Sequence, residues 1–254
     1  MERYVIAGNW KMNMVKDEAK TFFKDLSSLT KNKGKKITKI ICPVSPLLSF
    51  AIEESKDLDI NIGAQNVSEH DKGAFTGEVS ASILGSIDVK YCIIGHSERR
   101  QFFGDTDDKI KQKWLLLRTA KIAPIICVGE TLVERDNGRT FDVIRMQIEG
   151  IFKGVELVAN EDLLVAYEPV LAIGTGKTAT PEMAQEVHAH IRELLAKLYS
   201  DKANSIPLLY GGSVKSSNIK ELLAQKDING ALVGGASLLA DEYAKMINIA
   251  EEML

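Results

Sequence analysis

Leu163-Leu-Val-Ala-Tyr-Glu-Pro-Val-Leu-Ala-Ile-Gly-Thr-Gly-Lys-Thr-Ala-Thr180 holds a complete strand-to-helix transition. The apolar run Leu163–Tyr167 has the length and character of a buried strand. Glu168 follows it, and Pro169, which has no amide hydrogen, ends the pairing. A glycine-bearing loop comes next. Thr180-Pro181-Glu182 then opens a helix, with a hydroxyl to cap it, proline at the first helical position and an acid in the first turn. The unit reads strand, loop, helix, with a carboxylate at the strand's carboxyl end. A general base beneath a hinged loop has this layout. A solvated glutamate in an ordinary connection has it too, and the rest of the chain decides between them.

Similar runs recur along all 254 residues. They are Tyr4–Ala7, Ile37–Cys42, Ile60–Ala64, Tyr91–Ile94, Ala123–Val128, Leu163–Tyr167, Ile206–Tyr210 and Ala231–Val233. Most are continuous rather than alternating, as in strands buried on both faces. Helical patterns fill the gaps. The clearest is 181–199, where Val187, Ile191, Leu194, Leu195 and Leu198 form one stripe. Residues 107–121 and 241–253 also read as helices. No Pro/Ser-rich linker or low-complexity tract divides the chain, so 1–254 is expected to be one catalytic domain. Eight β–α units in this length fit a single (β/α)₈ barrel of the α/β class. An open doubly wound sheet has the same periodicity. The barrel is favoured because polar residues and glycines gather just after the apolar runs: Asn9 and Lys11, Gln65 and Asn66, His96, Glu130, Glu168, Gly211-Gly212-Ser213, Gly234-Gly235. A barrel brings those ends to one face.

Composition narrows the function classes. A hydrophobic fraction of 45% and a charged fraction of 26% are those of an ordinary globular chain. A net charge of -3 argues against nucleic acid or an anionic membrane as the principal partner. The basic run Lys31-Asn-Lys-Gly-Lys-Lys36 reads as a solvated loop. Cys42, Cys92 and Cys127 all fall within apolar runs, which suits a reducing compartment better than a disulfide framework. No apolar run reaches the ~20 residues of a membrane span, and no leader-like pattern opens the chain. A cytoplasmic location is expected.

His96 stands directly after a strand and before Ser97-Glu98-Arg99, where it is placed to act as acid, base or neutral donor. His188 and His190, two apart on a helix, point in different directions. No metal-ligand spacing occurs, so no metal is expected. The glycine pairs after strands seven and eight suit an anion, because glycine admits close approach and helix-start amides attract negative charge. Either pair alone would mark only a tight turn. Gly176-Lys177-Thr178 imitates the end of a P-loop, but its first glycine would fall at Leu171. Gly174-Thr-Gly-Lys-Thr-Ala179 matches a dinucleotide fingerprint only formally, since the acid-bearing second strand is replaced by helix 181–199.

Taken in order, Asn9-Trp-Lys11, Gly95-His-Ser-Glu-Arg99, Ala166-Tyr-Glu-Pro-Val170, Gly174-Thr-Gly176, Tyr210-Gly-Gly-Ser-Val214 and Val233-Gly-Gly-Ala-Ser237 closely resemble the triosephosphate isomerase family. The similarity runs from Ala7 to about Leu239. This family is itself a standard worked example of catalytic pKa tuning, so the acid/base roles that follow are implied by the resemblance and not read from spacing. The resemblance implies a TIM barrel that interconverts dihydroxyacetone phosphate and D-glyceraldehyde 3-phosphate through an enediolate, with no cofactor. It implies Glu168 as base, neutral His96 as electrophile, Lys11 as nearby positive charge and Asn9 as a substrate contact. Ser213, Gly234, Gly235 and Gly174 would hold phosphate. Glu98 would order Lys11, and Ser97 would hold Glu168. Gly73-Ala-Phe-Thr-Gly-Glu78 resembles the loop through which the family forms homodimers, with Thr76 at its tip. Leu171 stands where many relatives carry tryptophan, which affects how the loop is anchored toward Glu130. A Schiff-base aldolase on a similar barrel would need an inner-strand lysine, and only Lys11 and Lys177 are expected near the active face. A non-catalytic nucleotide-binding protein is the alternative outside enzymes.

Overall fold

The computed structural model describes residues 4–30, 37–158, 161–169 and 179–254. Eight strands lie in sequence order around a closed parallel barrel: β1 (Tyr4–Asn9), β2 (Ile37–Cys42), β3 (Asn61–Ala64), β4 (Tyr91–Ile94), β5 (Ala123–Val128), β6 (Leu164–Tyr167), β7 (Leu208–Tyr210) and β8 (Gly230–Val233). Pairing of Val5 with Gly230 and of Gly8 with Val233 closes the circuit, which rules out an open doubly wound sheet.

The continuous apolar runs now have a physical reason. Successive side chains point to opposite faces of a strand, and both faces are buried here. Val5, Ala7, Ile40, Cys42, Ile93, Ile125, Cys127, Leu164, Ala166, Leu209 and Leu232 belong to the cluster that fills the barrel. Their neighbours Ile6, Ile41, Ile94, Ile126, Val165, Leu208 and Val233 pack outward against the helices. The three cysteines are free and buried within these layers.

The helices are α1 (Lys16–Leu29), α2 (Leu48–Glu54), α3 (Ala81–Ser86), α4 (Ser97–Phe103), α5 (Asp107–Thr119), α6 (Leu132–Asp136), α7 (Thr140–Phe152), α8 (Pro181–Tyr199), α9 (Ile219–Leu223) and α10 (Ala240–Glu252). α8 starts as its sequence requires, with Thr180 Oγ accepting from the Met183 amide at 3.2 Å. Val187, Ile191, Leu194 and Leu195 are buried on its inner side.

Several ends differ from expectation, each for a local reason. The Ile60 amide donates to the Leu58 carbonyl, so β3 begins one residue later. The Ile206 amide donates to Ala203 and Pro207 has no amide, so β7 is shorter than Ile206–Tyr210. α5 stops before Lys121, whose φ of 58° is left-handed. After β8 the second glycine of the pair, Gly235, itself opens a 3₁₀ segment, Gly235–Leu238. The basic run 31–36 lies outside the described residues.

Candidate active site

On β1, β6, β7 and β8, taking the inward-facing alternation one step of two residues past the core gives Asn9, Glu168, Gly211 and Gly234. All four line one cavity of about 250 Å³, together with Lys11, His96, Gly212, Ser213 and Gly235. The barrel's own periodicity therefore assembles the site. Every expected site residue among those described is placed at it, or beside it in the case of Ser97 and Glu98. Gly174, Leu171 and the rest of 170–178 lie outside the described residues.

Glu168 is 2% exposed, and both its oxygens are engaged. Oε2 accepts from the Ser97 amide at 2.8 Å, and Oε1 is 2.8 Å from His96 Nε2. Ser97 thus holds the carboxylate through its backbone. Room for Glu168 comes from Gly211, where a Cβ would lie 2.8 Å from Glu168 Cγ.

His96 follows Gly95, whose φ of 70° turns the chain out of β4. It caps α4 with its own ring, Nδ1 accepting from the Glu98 amide at 3.2 Å. An acceptor Nδ1 carries no proton, which assigns the single ring proton to Nε2, aimed at Glu168. Burial lowers the imidazole's proton affinity, but the charge and hydrogen bond of Glu168, with Glu98 behind it, outweigh burial and raise the pKa above 6.5. A second proton on Nδ1 would break the bond from the Glu98 amide.

Lys11 occupies left-handed backbone, φ 52°, which is strained for a side-chain-bearing residue. Three contacts hold it there. Its amide donates to Asn9 Oδ1 at 3.0 Å, its carbonyl accepts from Gln65 Nε2 at 2.8 Å, and Nζ meets Glu98 Oε1 at 2.6 Å. One acid, Glu98, therefore ties α4 to Lys11.

Lys215 also lines the cavity, which corrects the expectation that Lys11 and Lys177 alone lie near the active face. Its place two residues beyond Ser213 was the available signal. Lys39, the lysine within a barrel strand, faces outward, where Asp59 and Glu251 hold Nζ at 3.3 and 3.2 Å. Behind Glu168, Tyr167 Oη and Arg135 Nη1 both donate to Glu130 Oε1, at 3.1 and 2.9 Å. A larger cavity of about 500 Å³ opens at the opposite end of the barrel, among Thr38, Asp162, Asp201 and Asn229. It gathers no base, imidazole and glycine cradle together. Among the described residues, no group of three His, Cys, Asp or Glu side chains is placed to hold a metal ion.

The family model described as triosephosphate isomerase matches residues 4–250. The chain belongs to the triosephosphate isomerase family. Proteins named triosephosphate isomerase resemble it over nearly their whole length. That of Moorella thermoacetica is 47% identical over 98% of this chain and 99% of its own. That of Endomicrobium trichonymphae is 44% identical over 99% of this chain and 100% of its own. That of Geotalea uraniireducens is 46% identical over 99% and 100%. Membership of the triosephosphate isomerase family makes the chain an isomerase.

Proposed function

We propose that this chain, working as one catalytic domain, interconverts dihydroxyacetone phosphate and D-glyceraldehyde 3-phosphate with Glu168 as the proton-transferring base. The observation that carries the assignment is the pair of 2.8 Å contacts that place both oxygens of a buried carboxylate against Ser97 N and His96 Nε2. Substrate must displace one of them. Its carbonyl oxygen takes the His96 Nε2–H, and that exchange frees Glu168 Oε1 and engages the electrophile together. Glu168 then removes a proton from C1, and the C1–H electron pair becomes the C1–C2 double bond while charge moves to O2. His96 donates its Nε2 proton to O2 and recovers one from O1. Glu168 returns its proton to C2, leaving the aldehyde at C1. Lys11 supplies positive charge beside the developing oxyanion, in a site where low dielectric strengthens it.

The glycine ends of β7 and β8 complete the reading as a phosphate cradle. Ser213, Gly234 and Gly235 line the cavity at those strand ends, and Lys215 lines it beside them and brings a positive charge. A cavity of about 250 Å³ suits a three-carbon phosphate better than a nucleotide. Proton shuttling within one substrate calls for neither nicotinamide nor metal. A coupled assay following glyceraldehyde 3-phosphate tests the function. Adduct trapping by borohydride in place of isomerisation would favour the Schiff-base aldolase.

Loop 73–78 supports a homodimer. Phe75, beside Thr76, is partly exposed and stacks on His70 at 3.8 Å. A cavity of about 460 Å³ beside Lys11 is lined by Met12, Gly77 and Phe103, and Met12, Phe102 and Phe103 are largely exposed. A partner's loop would cover these apolar groups. Sedimentation should give a dimer, shifted toward monomer by Phe75→Asp; a wild type that stays monomeric across the micromolar range overturns it. Among the described residues no helix is long and apolar enough to cross a membrane, and a cytoplasmic location follows from the proposed glycolytic reaction.

A further inference from the structure

Ser237 never reaches the cavity. It is fully buried behind the cradle, yet its contacts converge on one atom of it. The Gly234 carbonyl accepts from the Ser237 amide at 2.8 Å and from Ser237 Oγ at 2.7 Å. A trans peptide sets its C=O and N–H on opposite sides, and the chain has no cis bonds among the described residues. Drawing the Gly234 carbonyl down toward Ser237 therefore aims the Gly235 N–H the other way, toward the cavity that both glycines line.

Ser237 is itself anchored. Trp10 Nε1 donates to the Ser237 carbonyl at 3.1 Å, and Trp10 is buried immediately beside Asn9 and Lys11. The close approach depends on Gly8, where a Cβ would lie 2.9 Å from Ser237 Cβ. The arrangement links the end of β1, with Asn9 and Lys11, to the cradle at the end of β8.

We propose that Ser237 is a positioning residue for phosphate recognition, acting through the Gly234 carbonyl to orient the Gly235 amide, with Trp10 holding Ser237 in register with β1. This rests on the reading of Gly234 and Gly235 as phosphate donors. Removing the hydroxyl leaves the Ser237 amide as the single anchor, so the peptide plane gains freedom to rock, and the amide's aim is blurred rather than abolished.

The test compares wild type with Ser237→Ala for binding of inorganic phosphate, and for turnover of glyceraldehyde 3-phosphate against unphosphorylated glyceraldehyde. Loss of one buried hydrogen bond corresponds to about a tenfold effect. Phosphate should bind about tenfold more weakly, KM should rise by a similar factor, and the ratio of kcat/KM for the phosphorylated over the unphosphorylated substrate should fall with it. A purely structural role would lower both substrates' kcat/KM together and leave that ratio in place, which overturns the proposal. If Ser237→Ala does not fold, Ser237→Cys keeps a weaker donor of similar size and must show the same split in smaller measure; an unchanged ratio there also overturns it. A wild type that isomerises normally while Ser237→Ala matches it in phosphate affinity leaves the proposed function standing without this role. A wild type that neither isomerises nor binds phosphate overturns both.

Discussion

Glu168 raises the proton affinity of His96, and the pair can be taken apart by substitution. Burial alone lowers the imidazole pKa, while the Glu168 carboxylate raises it and prevails. Replacing the carboxylate by an amide in Glu168→Gln removes the largest raising influence and keeps the burial. The His96 titration should therefore move down from its wild-type position, and imidazole nitrogen NMR would show it; an upward move or none would mean that Glu168 does not govern the ring. Shortening the proposed base instead, in Glu168→Asp, keeps the charge and withdraws it by one methylene. Misplacement of about 1 Å can cost on the order of 100-fold in rate, so kcat should fall by about that factor with KM little changed. Unchanged turnover would remove Glu168 from the proton transfer. The positions of Glu168 and His96 just past strand ends were readable in the sequence, whereas the roles expected of them came from the family resemblance. The fine control was not visible: that Ser97 acts through its amide, and that Nδ1 caps α4, both depend on how α4 meets β6 in space.

Among the elements, α8 carries a buried titratable group that plays no part in the reaction. His188 is fully buried between Tyr167 and Tyr210, with ring centroids at 5.6 and 6.3 Å, and its Nδ1 lies 2.7 Å from the Ala184 carbonyl. Burial dominates over those carbonyl contacts and the nearby Asp227, and pushes its pKa down to about 4. An unfolded chain binds this proton near 6.5 and the folded one does not, so stability is complete above that value and is lost as pH falls toward 4. The loss amounts to about 3 kcal/mol once both forms are protonated, at ~1.4 kcal/mol per unit. In His188→Gln the pH dependence of unfolding between 6.5 and 4 should flatten by about one proton; an unaltered slope would show that His188 does not titrate on unfolding. The element itself was legible to the residue, because Thr180-Pro181 fixes its start and its apolar stripe fixes its inner face. Shorter elements were less legible at their ends. Leu58, Ala203 and Lys121 decide where β3, β7 and α5 begin or stop, and each does so through a backbone conformation or hydrogen bond that no periodicity records.

At the scale of the molecule, the seam between β8 and β1 carries the most weight, since closing it turns a row of strand ends into one site. The clustering of Asn9, Glu168, Gly211 and Gly234 after apolar runs was readable in the sequence, because alternation continues past the core. The part of Ser237 and Gly8 was not, because that contact joins β1 to a segment more than two hundred residues away. Gly230 marks the seam itself. A Cβ there would lie 2.0 Å from the Val5 carbonyl oxygen and 2.9 Å from Leu209 Cδ2, so backbone on one side and a core side chain on the other forbid it. Gly138 offers the matching control. It has φ 69° and nothing within 4 Å of its added Cβ, so alanine there meets only left-handed backbone strain, about 1–2 kcal/mol. Alanine at Gly230 must instead push β8 away from β1, which should cost about 3 kcal/mol as overpacking in a closed sheet. Urea unfolding of Gly230→Ala and Gly138→Ala, one added methyl each, separates the two. The Gly230 variant should have the lower midpoint, and any enzyme that stays folded should bind phosphate more weakly, since the proposed cradle after β7 and β8 then drifts from Lys11, two residues past β1. Equal midpoints would mean that the strand contact at Gly230 yields cheaply, and the seam would no longer explain how the two halves of the site keep their spacing.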